Sequence, residues 1–186
     1  EFALYSLDAD GMTSASTTAS TTIPVVSAGD YVVIGEILFD AEGSDVGKEF
    51  VELYNPYTSV FSLSDWRLSY SVGGGASTTL VVFGGSGGDG VVIPGSGFLL
   101  LGFNSYSSSS YSGLAADMTR SASLLNGSSE VRLVLSDDAG SEVDVVTYDA
   151  TLIGGAGESL ERRALDASVC VSAQGGGEFL GNGCDT

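Results

Sequence analysis

A chain of 186 residues with 24 acidic and 6 basic side chains carries a formal net charge of −18, which excludes a nucleic-acid clamp, because phosphate contacts need clustered Lys and Arg. The length allows one β or α/β domain with a sizeable core plus an extended segment, and 43% hydrophobic residues can fill that core. The chain has no histidine, which removes Ser-His-Asp and Cys-His catalysis, His-ligated zinc and the commonest general base.

The first 29 residues differ from the rest. EFALYSLDADGM is followed by the low-complexity tract TSASTTASTT and then IPVVSAG. A Ser/Thr tract buries too little apolar surface to order itself and reads as a linker or stalk. Its Thr and Val content suits an extended strand, so Thr17 to Val26 is expected to be able to lie along a sheet edge, of its own domain or of a neighbouring molecule. Asp8, Asp10 and Gly11 match the start of a calcium loop, in which alternate carboxylates and a Gly turn wrap a hard cation, but the distal bidentate Glu of an EF-hand is missing.

From Tyr31 onward short β-prone runs alternate with Gly, Ser and Asp. Strands are predicted at 31–39, 49–55, 63–72, 77–83, 91–93, 97–103, 130–136 and 142–148, a spacing typical of a β-sandwich. No segment has sustained helical periodicity. Asp137-Asp138-Ala139-Gly140 supplies the Asp and Gly that a hairpin needs.

Gly84 to Gly88 has the glycines of a phosphate loop without its Lys and Ser/Thr, and reads as a hairpin tip. NSYSSSSYSG (104–113) has the composition of an adaptable binding loop and equally of an exposed crossover. Asp40, Glu42, Asp45 and Glu49 surround the loop between the first two sandwich strands; they are either solvated charges or, as Asp40, Glu42 and Asp45 suggest, a second calcium position. Asn126-Gly127-Ser128 is an N-glycan acceptor sequence or a plain turn.

Several of these segments resemble the lamin tail domain, an immunoglobulin-like β-sandwich family. The resemblance rests on VVIGEILFD (32–40), KEFVELYNP (48–56), FSLSDWRLSY (61–70), VIPGSGFLLL (92–101), SEVRLVLSDDAGSEVDVVTY (129–148) and GESLERR (157–163), in that order and spacing. It implies an all-β sandwich over about 30–165, preceded by the extended segment 1–29. It implies no agreed activity, and the chain is expected not to be an enzyme. Microbial members occur on secreted or surface proteins, sometimes beside nuclease or hydrolase domains. The heptad rod, prenylation box and basic nuclear signal of a nuclear lamin are absent from this sequence.

Within these motifs Trp66 is expected to fill the space between sheets, and Asn55-Pro56 to end a strand. Glu52 is expected to pair with Arg67 or Arg132, and Arg162 and Arg163 to anchor the last strand. Lys48 could in principle form an amide crosslink beside its strand. The tail from 166 to 186 holds the only two cysteines, Cys170 and Cys184. A disulfide is the natural reading and two free thiols the alternative; closure of such a loop contributes on the order of 3 kcal/mol. The tail is similar to a disulfide-closed extension of microbial lamin tail domains.

These features suit an extracellular or cell-surface location. No signal-peptide pattern opens the sequence, so a leader is expected either to have been removed or to lie outside this sequence, and no apolar run reaches the ~18 residues of a membrane span. The expected partners are copies of the same chain, through the N-terminal segment or a sheet edge, or a cell-wall, glycan or protein ligand. No cofactor is required, with calcium the one candidate.

Overall fold

The computed structural model describes residues 31–84, 90–111, 113–127, 129–149, 151 and 156–162, and the strand backbone alone of 2–5, 18–19, 165–166 and 169–170. In chain order the strands are β1 (Phe2–Tyr5), β2 (Thr18–Ala19), β3 (Val33–Leu38), β4 (Phe50–Tyr54), β5 (Phe61–Ser62), β6 (Arg67–Val72), β7 (Thr78–Val82), β8 (Val92–Ile93), β9 (Phe98–Gly102), β10 (Met118–Thr119), β11 (Val131–Ser136), β12 (Glu142–Tyr148), β13 (Ser159–Arg162), β14 (Leu165–Asp166) and β15 (Val169–Cys170). One 3-10 turn, Ser108–Tyr111, lies between β9 and β10.

Alternation decides the layers. Val51 and Leu53 of β4, Leu99 and Leu101 of β9, and Ile34 and Ile37 of β3 all turn to one side. They meet Leu68 of β6, Val81 of β7, Leu133 and Leu135 of β11, and Val146 of β12. The result is two sheets face to face, ordered β10-β9-β4-β3-β13-β1-β2 and β12-β11-β6-β7, with a continuous core between them. Each fully buried aliphatic or aromatic side chain there contributes roughly 1.5–3 kcal/mol. Phe39 and Tyr148 stack across the interior with ring centroids 4.3 Å apart.

The predicted strands all appear, within two residues of their expected bounds except at one end: Asp65 adopts a left-handed φ of 64°, so β6 begins only at Arg67. Trp66, just before it, is 9% exposed and packs edge-on against Phe61. The Asp137–Gly140 turn closes the β11–β12 hairpin; the Ser141 N–H donates to Asp137 Oδ1 at 2.7 Å and Gly140 takes a φ of 85°. Gly85 to Gly88 lies outside the described residues.

Asn55 ends β4 and is fully buried. Its amide donates to the carbonyls of Ser59, Ile93 and Pro94, and its Oδ1 accepts from the Tyr57 N–H, so one side chain joins two loops.

β10 runs parallel to β9, and a parallel neighbour needs a crossover of a dozen or more residues. Residues 103–117 are that crossover. Asn104 and Ser105, with φ of 49° and 62°, turn the chain away from β9. Tyr106 then lies over Gly102, where a Cβ would fall 2.4 Å from the Tyr106 Cβ and Cγ. Tyr111 packs edge-on against Phe50 and its hydroxyl donates to the Lys48 carbonyl at 2.6 Å. Of the two readings of 104–113, the structure has the crossover, with both tyrosines half-buried against the sheet.

Candidate functional site

The candidate site lies where β13 meets β3. The two strands share only two register positions, Leu160 opposite Ile37 and Glu161 opposite Glu36. A bulge between Ile34 and Glu36, at Gly35, shifts the register of β3 against β4. Beyond Glu36 side chains replace the main-chain ladder. Asp144, from β12 of the other sheet, accepts the Ile34 N–H at 2.6 Å, and Arg162 Nε donates to the Ile34 carbonyl at 3.0 Å. Arg162 and Asp144 also bond each other, Nη2 lying 2.9 and 2.8 Å from the two carboxylate oxygens. Both side chains are almost fully buried. This clamp ties the two sheets together, as the placement of Arg162 in the last sandwich strand leads one to expect; Arg163 lies outside the described residues.

On the opposite face of the same strands the row runs Glu161 of β13, Glu36 of β3, Glu52 of β4 and Leu100 of β9, each directly opposite the next. Directly opposite side chains share a face with Cβ atoms about 4.5–5.5 Å apart. Since Leu160, Ile37 and Val51 point into the core, the three glutamates stand on the outer face. Asp117 joins the row from the crossover, its Oδ2 accepting the Leu100 N–H at 2.8 Å.

All three glutamates are partly buried. Burial pushes Glu36 up to about 7, raised further by Glu161 and opposed by a hydrogen bond from Ser159. Burial pushes Glu52 up to about 8, with Glu36, Glu161 and Asp117 adding repulsion.

The expected pairing of Glu52 with Arg67 or Arg132 is therefore corrected. Both arginines belong to the other sheet, and Arg132 makes a two-pronged ion pair with Glu142 at 2.8 and 2.6 Å. Strand alternation shows that Glu52 faces away from the core but not which sheet supplies its neighbours. The row itself could have been found only by knowing that β3, β4 and β13 are adjacent.

The loop carboxylates proposed for calcium separate. Glu49 is buried, its Oε2 accepting the Leu124 N–H at 2.8 Å; burial pushes it up to about 7. Asp45 accepts the Ala41 N–H through Oδ1 and the Asn126 amide through Oδ2, both at 3.0 Å. Asp40 receives the Gly157 N–H on its backbone carbonyl, and Glu42 is exposed, its carbonyl accepting from the Lys48 ammonium. Asp40, Glu42 and Asp45 do not converge as a metal-ligand group, and no such group of three occurs among the described residues. Asp8, Asp10 and Cys184 lie outside the described residues, so the first calcium position and the Cys170–Cys184 closure do too. Asn126 is exposed. Among the described residues no helix is long and apolar enough to cross a membrane.

The family profile of the Lamin Tail Domain matches residues 25–150. The chain belongs to the lamin tail domain family. The expected all-β, immunoglobulin-like sandwich is thus met by both the family and the fold. No curated protein matches the chain. β13, which carries Arg162 and Glu161, lies beyond the matched span, and so does β1, which pairs with it antiparallel from Phe2 opposite Arg162 to Tyr5 opposite Ser159. β2 pairs in turn with β1, through Phe2 opposite Ala19 and Ala3 opposite Thr18.

Proposed function

We propose that this lamin tail domain is a non-catalytic, extracellular structural subunit that associates with copies of itself by passing β1 to the sheet edge of a neighbour. The carrying observation is the β1–β13 register: Phe2–Tyr5 add a strand beyond β13 over four register positions, with the short β2 outside it. Residues 6–32, which include β2, separate β1 from β3, and 27 residues span at most about 90 Å when extended. That reach is enough to deliver the same strand to a second molecule, and exchange of an identical element is a direct route to assembly. The charge of −18, the single lysine, the Ser/Thr tract and the two cysteines support placement outside the cell. Subunits this acidic repel one another, so calcium or higher salt is expected to strengthen assembly and chelation to weaken it.

The second reading is a monomeric module that anchors a larger secreted protein to a cell wall, glycan or protein. It is favoured by the pairing of β1 with the β13 of its own chain.

Light scattering on the intact chain over a range of concentrations, beside a variant lacking residues 1–30, separates the two. Exchange predicts that the intact chain grows beyond 18.9 kDa with concentration. The truncated chain stays monomeric and takes up a synthetic peptide of residues 1–19. An intact chain that remains monomeric throughout, or a truncated one that assembles equally well, overturns the self-association reading.

A further inference from the structure

We propose that the row Val33, Tyr54 and Phe98, on the outer face of the large sheet, is the seat of the apolar run IPVV (23–26), which docks on it as a third layer. The run follows β1 and β2 onto whichever sheet they complete, so the seat does not depend on exchange between chains.

A sheet face turned to water is ordinarily polar. At this end the outer face is not. Val33 stands opposite Tyr54, and Tyr54 opposite Phe98. Their strand neighbours Val32, Ile34, Leu53 and Leu99 belong to the core between the sheets, so the three side chains of the row point the other way. At the far end of the same face Leu38 stands opposite Phe50, and there the crossover supplies a cover. Tyr111 packs against Phe50 with ring centroids 5.8 Å apart, and Tyr106 lies over Gly102.

The Val33 end is covered as well. Val33 is 8% exposed and Tyr54 6%, whereas Phe98, farther along the row, is 40% exposed. Neighbours within a sheet shield a ring from the side, and the ring beside Tyr54 among the described residues is that of Phe98, with centroids 4.9 Å apart. The opposite flank is Val33, whose side chain is too short to reach the top of a tyrosine ring. A layer above Tyr54 accounts for its burial. It comes from the β13 side, because burial extends over β3 and β4 and ends at β9.

Topology names the segment. β1 is antiparallel to β13 and β2 to β1, while β13 is antiparallel to β3, so β2 runs opposite to β3. Thr18 stands level with Glu36 through Ala3 and Glu161, and the chain after Ala19 leaves toward the Val33 end. Within one chain it must return past β1 and β13 to Val33, three strand spacings or about 14 Å. Residues 20–32 have that reach with length to spare. The inner side of the sheet is filled by the core, so the outer side has the room. Ahead of Tyr31 the one contiguous apolar run is IPVV, with SAGD (27–30) after it. Pro24 has no N–H to give a ladder, so the run suits a cover better than a further strand. The tail leaves β13 at the same end, but it is tied to the sheet at one point only, and β14 and β15 pair with each other.

Nuclear Overhauser spectra of the intact, isotope-labelled chain test the seat. Methyls of Ile23, Val25 or Val26 are expected to lie against the Tyr54 ring and the Val33 methyls. Contacts to Tyr54 from residues 163–171 or from the crossover in their place, or from no segment at all, overturn it. Hydroxyl-radical footprinting of an Ile23→Ser, Val25→Ser double variant reads the same face. Labelling of Tyr54 is expected to rise severalfold, toward that of Phe98, while the buried Phe39 and Phe83 stay protected. Unchanged labelling of Tyr54 overturns the seat. The Overhauser contacts are read on the unmodified chain, so they decide even where the double substitution disturbs the fold. A chain that lacks these contacts and still grows with concentration loses the seat and keeps self-association.

Discussion

Between the sheets, β13 and β3 are joined by a carboxylate lying against an arginine; on the outer face, the same two strands carry glutamates opposite one another. Asp144 is the more deeply buried, yet its charge is balanced by Arg162 and bonded to the Ile34 N–H. Burial pushes Glu36 and Glu52 toward the neutral form, and the like charge on neighbouring strands adds to it. One seam thus holds a charge-balanced, hydrogen-bonded clamp on one side and carboxylates pushed toward the neutral form on the other.

The largest way to break that comparison is Arg162→Met. It keeps most of the apolar stem, removes the guanidinium and strands Asp144 between the sheets. Removing one partner of a buried pair typically costs about 3–5 kcal/mol. Denaturant unfolding at pH 7 is expected to show a loss of that size, and the Arg162→Met, Asp144→Asn double variant should recover part of it. A loss under about 1 kcal/mol in the single variant means that the clamp does not hold the sheets.

A middle-sized effect is expected at Glu49, which resembles the outer row in its direction of titration and the clamp in its hydrogen bonding. Its pKa is raised to about 7, so the folded chain binds a proton there that the unfolded chain releases above about 4.5. Its contribution is whole below about pH 4.5 and lost as pH rises through 7. Glu49→Gln retains an oxygen for the Leu124 N–H and has no such proton to lose. Unfolding curves at pH 5 and pH 8.5 should show the variant losing less stability between the two than the parent, by on the order of 1 kcal/mol. Equal losses in both chains place the proton uptake elsewhere.

Much of the sandwich was legible because strand periodicity is local: a run such as Phe50 to Tyr54 declares its buried face without knowledge of its neighbours. Trp66 and the Asp137–Gly140 turn were readable for the same reason. The clamp and the row were not. Asp144 lies among alternating residues of β12 and looks like a surface position until the bulge at Gly35 leaves Ile34 to be satisfied by side chains. The row depends on adjacency among β13, β3 and β4, which is long-range topology. The loop carboxylates misled in the other direction, since nearness in sequence placed Asp45 and Glu49 together while their hydrogen bonds divide them between a loop amide and the Leu124 N–H.

The smallest effect is expected at Arg132 and Glu142, and it sharpens the comparison best. Like Arg162 and Asp144 they bond through two nitrogen–oxygen contacts, the shorter at 2.6 Å against 2.8 Å inside. The difference is solvent: these side chains are 39% and 54% exposed. Water screens the attraction and stabilises either charge left alone, so an exposed pair contributes about 0–1 kcal/mol. Its hydrogen bonds from Arg132 hold Glu142 below its ordinary value, so the contribution is present above about pH 4.5 and is lost as the carboxylate gains a proton in acid. Arg132→Ala should lower stability by about 0.5 kcal/mol at pH 7 in low salt and by less in 1 M salt, measured by denaturant unfolding beside Arg162→Met. If the two substitutions cost the same, geometry and not burial sets the strength of both pairs, and the contrast between the faces of the β3–β13 seam loses its physical basis.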